Sequence, residues 1–377
     1  MRIVYCIDSI RGVGGIQKVT VEKAGALAAL PGNEVWILTA DNSGAAVFPL
    51  SPRVVHRDLG INYYEDDWKS RWHVLKGILV KRRKHRNALK KVLREIQPDV
   101  IISVGQSEKN FLPAIRGRWA TVREFHFVRT YRKLQARTGF ERFLAWGGDL
   151  LDRFVLKKYD GIVVLTREDK ERNWRQWKNV HVIPNSVSLP PCISSLAAKR
   201  VIAVGRLTYQ KNFTSLIRAF SSVVKRFPEW SLDIFGDGEE KAVLASEIQA
   251  SGLASSVRLM GNCPDIQRIM PEYSLYVLSS RFEGFGVVLI EAMSCGLPVV
   301  SYACPCGPKD IIRDGVDGFL VPPADGTLLA ERICRLIEDE DQRRAMGAAA
   351  LGRAKDFSIE KILPQWTSLF EGLVRKK

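Results

Sequence analysis

The chain has 377 residues, with 57 Lys and Arg against 41 Asp and Glu, for a formal net charge of +16. That length asks for two domains. A hydrophobic fraction of 46%, with 29 Gly and 17 Pro dispersed along the chain, excludes a disordered basic tail and collagen-like or low-complexity architecture.

The charge is lopsided. Residues 1–185 hold 34 basic and 19 acidic side chains, a net of +15, and residues 186–377 hold 23 and 22, a net of +1. Halves so different point to different partners, the first of them anionic. Seven scattered cysteines are an odd number and no disulfide framework; they read as small apolar residues of a reducing compartment. Cys304-Pro305-Cys306 has no second pair to complete a metal site. No apolar run of about 18 residues occurs and no signal peptide is visible at Met1–Ile7, so a cytoplasmic protein is expected.

In chain order, short β-branched runs recur between longer amphipathic stretches. They are Ile3–Ile7, Val35–Thr39, Val100–Val104, Thr121–Glu124, Gly161–Leu165 and Val180–Ile183, then Val201–Val204, Leu232–Phe235, Val257–Met260, Leu275–Leu278, Val299–Tyr302 and Phe319–Val321. Continuous apolar runs predict strands covered on both faces. Segments such as Lys211–Phe227 and Glu239–Ala250 are long enough for crossover helices. The alternation, repeated twice, predicts an α/β protein of two doubly wound, Rossmann-like domains. The first is expected over 1–187 and the second over 199–357, joined through Pro190-Pro191 and Ser194-Ser195. Residues 358–377 carry apolar side chains at helical spacing, a last helix expected to pack back on the first domain.

Ligands of such sheets bind at the carboxyl ends of the strands, and if the two sheets face each other the site is the cleft between them. After the first strand, Gly14-Gly15 permits a tight turn into a helix whose first N–H groups suit a diphosphate. The turn is not a dinucleotide GxGxxG fingerprint with its acidic partner. After Val201–Val204 come Gly205, Arg206 and Lys211, two cations at a strand end that suit a diphosphate. Arg281–Met293 places Glu283 and Glu291 on either side of Gly284-Phe285-Gly286, with Glu291 about two turns into an apolar helix. A carboxylate there is costly unless it binds something bearing hydroxyls.

These pieces resemble, in order and over nearly the whole chain, the GT-B glycosyltransferases of family 4, the retaining nucleotide-sugar enzymes. The resemblance implies a GT-B fold, with Arg206 and Lys211 stabilising the departing nucleoside diphosphate. It implies Glu291 on the donor ribose and Glu283 on the sugar hydroxyls. Gly14, Gly15, Gly205, Gly236, Phe285, Gly286 and Val287 would line the donor site. No metal or other cofactor is implied, the nucleotide sugar being a co-substrate. The family's first-domain histidine corresponds to His126, which follows Thr121–Glu124 and would contact the sugar. Gln17-Lys18 stands where many relatives have an acidic residue before the basic one. Ser301–Ile312 is similar to a stretch of a subgroup that uses UDP-sugars in surface-polysaccharide and lipid-linked oligosaccharide assembly, with Asp310 in place of Glu.

The excess charge is densest in Arg71–Arg94, where Lys81-Arg82-Arg83-Lys84 and Lys90-Lys91 alternate with Trp72, Leu75, Ile78 and Leu79, with Trp68 upstream. Cations beside Trp and Leu describe a helix lying on an anionic membrane. Leu89, Val92, Leu93 and Ile96 are expected to face the sheet. A second basic cluster, Arg129–Arg142, is expected at the acceptor mouth. Nothing marks a nucleic-acid binder. The expectation is a peripheral enzyme of the inner membrane face that moves a hexose or N-acetylhexosamine from a UDP-sugar to a lipid-linked or polysaccharide acceptor. The alternatives are transfer to a soluble acceptor and a non-catalytic sugar-nucleotide scaffold on the same fold.

Overall fold

In the computed structural model, all residues are described except 13, 42–46, 64–70, 132, 133, 135, 137 and 191, together with the side chains of 71–76. The predicted β-branched runs become strands; the central ones are buried along their length, as strands covered on both faces must be, while the sheet-edge runs at Val180–Val182 and Val257–Gly261 are only partly buried.

The first sheet is built from β1 (Arg2–Ile7), β2 (Glu34–Thr39), β3 (Val54–Asp58), β4 (Val100–Ser103), β5 (Ala120–Glu124), β6 (Gly161–Val164) and β7 (Val180–Val182). Its order is β3-β2-β1-β4-β5-β6-β7, with every pairing parallel. Between the strands run α1 (Gly15–Ala29), α2 (Arg71–Ile96), α3 (Leu112–Ile115), α4 (Gly139–Leu156) and α5 (Arg167–Asn173). The sequence runs omit β3, whose Val-Val-His-Arg-Asp has only two apolar residues and only Val54 buried. An edge strand needs no continuous apolar run.

The second sheet holds β8 (Arg200–Val204), β9 (Ser231–Phe235), β10 (Val257–Gly261), β11 (Leu275–Leu278), β12 (Val299–Tyr302) and β13 (Gly318–Val321). Its order is β10-β9-β8-β11-β12-β13, again all parallel. Its helices are α6 (Phe213–Arg226), α7 (Lys241–Ala250), α8 (Ile266–Ile269), α9 (Val287–Ser294), α10 (Pro308–Ile311), α11 (Gly326–Glu338) and α12 (Glu340–Ala354). The chain ends in α13 (Ile359–Val374).

The chain divides into two compact units. The first is Met1–Val164, Asn173–Ile183 and Ile362–Lys377; the second is Leu165–Arg172 and Pro184–Lys361. Two segments therefore differ from the domain ranges read from sequence. Leu165–Arg172, read as part of the first domain, packs with the second: Asp310 accepts from the amides of Arg167 and Glu168, and Glu168 takes the Lys309 ammonium at 2.6 Å. Pro184–Val187 does the same, since the Val187 amide donates to the Phe357 carbonyl at 2.9 Å.

In the first unit, one face of the sheet is covered by Val21, Ala24 and Leu27 of α1 together with Ile362, Trp366, Leu369, Phe370 and Leu373 of α13. The other face is covered by Leu89, Val92, Leu93 and Ile96 of α2, Leu112 and Ile115 of α3, and Leu156 of α4. The seven cysteines are all free, and Cys6, Cys295, Cys304, Cys306 and Cys334 are buried.

Candidate active site

The strand order of the second sheet reverses between β8 and β11, so the loops leaving those two strands part from each other at the carboxyl edge, where ligands of open parallel sheets bind. The loop after β8 carries Gly205, Arg206 and Lys211; the loop after β11 carries Glu283, Phe285 and Gly286. Seventy-two residues apart in sequence, Lys211 Nζ and Glu283 Oε1 lie 2.7 Å apart. Ser280 Oγ donates to the same carboxylate oxygen at 2.6 Å. Bonds to main-chain carbonyls hold both loops in place: the Gln210 carboxamide Nε2 donates to the Phe282 carbonyl, Ser279 Oγ to the Lys211 carbonyl, and the Glu283 amide to the Pro305 carbonyl. Arg206 is exposed at the edge of this cluster.

Two glycine positions explain the close approach. A Cβ on Gly236 would stand 1.9 Å from the Gly205 carbonyl oxygen, so the turns after β8 and β9 meet backbone to backbone only because that side chain is missing. Gly286 has φ +91° and caps the start of α9, a conformation that favours glycine. The first amides of that helix, from Val287 onward, face the same edge, while the Phe285 ring is buried against Phe357. Glu291, 4% exposed, lies in the second turn of α9. Tyr276 of β11 is buried beside both carboxylates: burial first, then the charges of Glu283 and Glu291, push its phenol far above its ordinary pKa, which keeps it protonated.

The first sheet reverses between β1 and β4, and the turn after β1 carries the predicted glycines. Gly14 caps α1 with no side-chain bond to the helix amides, and a Cβ there would press on the Gln17 carboxamide at 2.7 Å. Gly15 is exposed with open space around it. One strand beyond the reversal, His126 follows β5, its Nε2 3.2 Å from Glu124 Oε1. Glu124 is fully buried and forms an ion pair with Lys23 of α1, whose ammonium lies 3.9 Å from the centre of the Trp366 ring. Burial alone would raise the Glu124 carboxyl; Lys23 and His126 outweigh it and hold the group well below its ordinary value. Burial pulls Lys23 in turn below the usual lysine range, with Glu124 opposing.

Beside this cluster opens a cavity of about 290 Å³, lined by Lys109, Arg123, His126, Phe127, Arg129 and Asp149 among others. Arg123 is 1% exposed, and its guanidinium bonds Ser103 Oγ at 2.8 Å and the Gly105 carbonyl. Several buried polar atoms here have no hydrogen-bond partner among the described residues: Arg123 Nε, Arg129 Nη2, Glu124 Oε2 and Tyr5 Oη. Buried polar groups are ordinarily satisfied, so a group of exceptions marks a place where polar ligand atoms fit.

The structure thus brings Lys211, Glu283, Gly205, Gly236, Phe285, Gly286 and Val287 together at one edge, with Glu291 close by; His126, Gly14 and Gly15 lie at the corresponding edge of the first sheet. The segment Lys81–Lys84 does not read as a uniform basic face. Lys81 Nζ donates to the Asn62 carbonyl and Lys84 Nζ to the Gly60 carbonyl, so these two hold a loop, while Arg82, Arg83 and Lys84 are all exposed. Trp68 and the side chains of Trp72 and Leu75 lie outside the described residues, as do Arg132, Lys133 and Arg137 of the second basic cluster. Sequence reading passed over Lys23, Glu124 and Glu108. Lys23 stands among apolar residues of α1, but Glu108 and Glu124 have polar or charged neighbours, and nothing in the sequence pairs any of the three with its partner. Among the described residues no group of three or more His, Cys, Asp or Glu gathers as a metal site would require, and no helix is long and apolar enough to cross a membrane.

Two family models match the chain: Glycosyltransferase Family 4 over residues 13–189, and Glycosyl transferases group 1 over residues 195–353. An exopolysaccharide phosphotransferase of Streptomyces coelicolor is 34% identical over 298 residues, covering 77% of this chain and 30% of that protein. The amylovoran biosynthesis glycosyltransferase AmsD of Erwinia amylovora is 34% identical over 218 residues, 55% of this chain and 61% of that protein. The chain therefore spans less than two thirds of the length of either relative. A crystal structure of an S. aureus TarM mutant in complex with Fondaparinux, alpha-GlcNAc-glycerol and UDP superposes with a TM-score of 0.78 at 16% identity, covering 98% of this chain and 99% of that one. Two parallel sheets with reversed strand orders, glycine-lined carboxyl edges and consecutive family matches from residue 13 to residue 353 agree: the chain belongs to the GT-B glycosyltransferases.

Proposed function

We propose that the chain moves a hexose or N-acetylhexosamine from a nucleotide sugar, with UDP as the nucleotide and with retention of configuration, to a lipid-linked or polysaccharide acceptor, working peripherally on the inner face of the membrane. The observation that carries the donor half is the Lys211–Glu283 pair, a cation and a carboxylate held at hydrogen-bond distance on two loops of the switch point.

In this reading Arg206 and Lys211 neutralise the diphosphate as it leaves, and the amides at the start of α9 add their partial charge. Glu283 accepts from sugar hydroxyls, aligned by Ser280, and Glu291 accepts from the ribose. His126 contacts the transferred sugar, its ring held beside Glu124. The leaving phosphate takes the acceptor proton, so the reaction needs no metal and no further cofactor. The acceptor binds in the cavity beside His126, where guanidinium and carboxylate atoms await polar partners. Support for UDP and for saccharide acceptors comes from the TarM complex and from the polysaccharide relatives.

The test is a panel of nucleotide sugars offered with membrane-lipid extract, read by nucleoside diphosphate release with and without a chelator, the product anomer being assigned by NMR. UDP release that survives the chelator, with a retained anomer, is expected. An inverted product overturns retention, and release from non-uridine donors alone overturns the assigned nucleotide. Binding of a donor with neither transfer nor hydrolysis identifies a scaffold instead.

A further inference from the structure

Helix α4 (Gly139–Leu156) is amphipathic the wrong way round for a helix of a globular core. Only Ala145 and Leu156 are buried, whereas Phe140, Phe143, Leu144, Trp146, Leu150, Leu151 and Phe154 are 44–71% exposed. At about 100° per residue the exposed side chains fall on one broad stripe, and Ala145, Asp149, Asp152 and Leu156 fall opposite it. The inner face is fixed by charge. Asp149 takes Arg129 at 3.1 Å and Asp152 takes Lys109 at 2.8 Å, so the helix cannot roll its apolar side inward without stranding both carboxylates. A Thr138–Glu141 capping box sets where the helix begins. Whole aromatic side chains present about 150–250 Å² each. Seven large apolar side chains in this state exceed the few hundred Å² that monomers ordinarily leave bare.

We propose that this stripe is the membrane-contacting surface of the protein and that its partner is an anionic lipid bilayer. The charges on the page select that occupant. Arg142 and Arg153 border the stripe, Lys157 and Lys158 follow it, all four are exposed, and the half of the chain that carries them has a net charge of +15. A second copy meeting the same face would bring two such halves together, whereas an anionic leaflet neutralises them. Phe, Trp and Leu with flanking Arg and Lys is the composition of a helix lying in the interface plane, and at 18 residues, with Asp149 and Asp152 inside it, α4 does not span a bilayer. A neighbouring element agrees. α2 packs on the same sheet face as α4, both running from the carboxyl edge as crossover helices, and exposes Ile78, Leu79 and Val80 beside Arg82 and Arg83. The stripe lies on the outside of the helix whose inner face lines the cavity next to His126. In naming the surface that would bring a membrane-borne acceptor to that cavity, the inference rests on the function proposed above; the exposure of the helix does not depend on it.

The experiment is co-sedimentation of the full chain with vesicles of equimolar phosphatidylglycerol and phosphatidylcholine, and with phosphatidylcholine alone. Wild type is compared with a variant carrying Phe143→Ser, Leu151→Ser and Phe154→Ser. Oligomeric state by light scattering and vesicle-free nucleoside diphosphate release are measured alongside. Wild type is expected to favour the anionic vesicles, and the variant to lose at least about tenfold in partition, with oligomeric state and vesicle-free release unchanged. The single Leu151→Ser variant, expected to lose about threefold, serves if the triple variant misfolds. Undiminished binding by the variants, or no preference of wild type for the anionic lipid, overturns the proposal. So does a variant that becomes monomeric while binding vesicles as before, which would make the stripe a self-interface. Wild type that binds vesicles through the stripe but releases nothing from any donor leaves this inference standing and removes the transferase reading.

Discussion

The carboxyl edges of the two sheets finish their polar groups in different ways. Around Glu283 the charged groups are matched in advance: Lys211 and Ser280 both donate to one carboxylate oxygen, and Ser279 and Gln210 bond loop carbonyls, while the neutral Tyr276 phenol beside them is buried without a partner among the described residues. Around His126, Arg123 Nε, Arg129 Nη2 and Glu124 Oε2 are buried without partners among the described residues. A site with its charges already aligned needs little reorganisation when a diphosphate arrives, as electrostatic stabilisation of a leaving group requires. A site with unmet donors and acceptors gains its order from whatever binds. The contrast follows the charge asymmetry, the balanced half being the preassembled one.

The sharpest way to break this comparison is at the aligned pair. Lys211→Ala leaves Glu283 buried without its cation and removes charge from the diphosphate, and Glu283→Ala removes the carboxylate; each is expected to lower kcat/KM by about 10²–10³-fold. Folding should persist by circular dichroism, and turnover near wild type in either variant would refute the assignment.

Next in size is the first unit's Lys23–Glu124 pair, nearly solvent-free on both sides. Glu124→Ala strands the ammonium and is expected to cost about 3–5 kcal/mol in denaturant unfolding, while the Lys23→Met, Glu124→Ala double variant recovers part of it. Equal loss in single and double variants would show that the pair is not coupled.

A smaller effect concerns Glu108, whose Oε1 accepts from Ser103 Oγ at 2.7 Å. Burial, then the charge of Asp8, pushes its carboxyl up to about 7, against Arg123 and Ser103. Because the folded state holds this proton more tightly than the unfolded chain does, the associated stability is complete below the ordinary Glu pKa and is lost as pH rises through about 7. Thermal or urea unfolding should show wild type losing about 2–3 kcal/mol relative to Glu108→Gln between pH values of about 5 and 8. A pH-independent difference would remove Glu108 as the cause.

Smallest is Arg226→Ala in the second unit. Its pair with Glu338 is more than half exposed on both sides, and the expected cost is below about 1 kcal/mol. A larger loss would place hidden strain in the unit taken here as settled.

Much of this was legible in the residues. Twelve of the thirteen strands among the described residues announce themselves as β-branched runs, the central ones because a strand covered on both faces must be apolar throughout. β3 did not, because only two of its five residues, Val54 and Val55, are apolar. The Gly205–Lys211 and Glu283–Glu291 segments read directly, since short loops at strand ends place nearby residues in one spot. Helix α4 went unread because periodicity reports that a helix has an apolar face and not which way that face turns; Asp149 and Asp152 decide it through partners 20 and 43 residues away.

By itself, then, the sequence determined the strand–helix alternation, the division into a strongly basic and a neutral half, and the motif residues at the carboxyl edges, because these depend on composition and local spacing. Only the tertiary structure decided the pairing of Lys23 with Glu124 and of Lys211 with Glu283, the use of Lys81 and Lys84 to hold a loop, and the outward turn of α4. Each of those depends on which distant group neutralises a charge, and strand order, not spacing along the chain, brings such groups together.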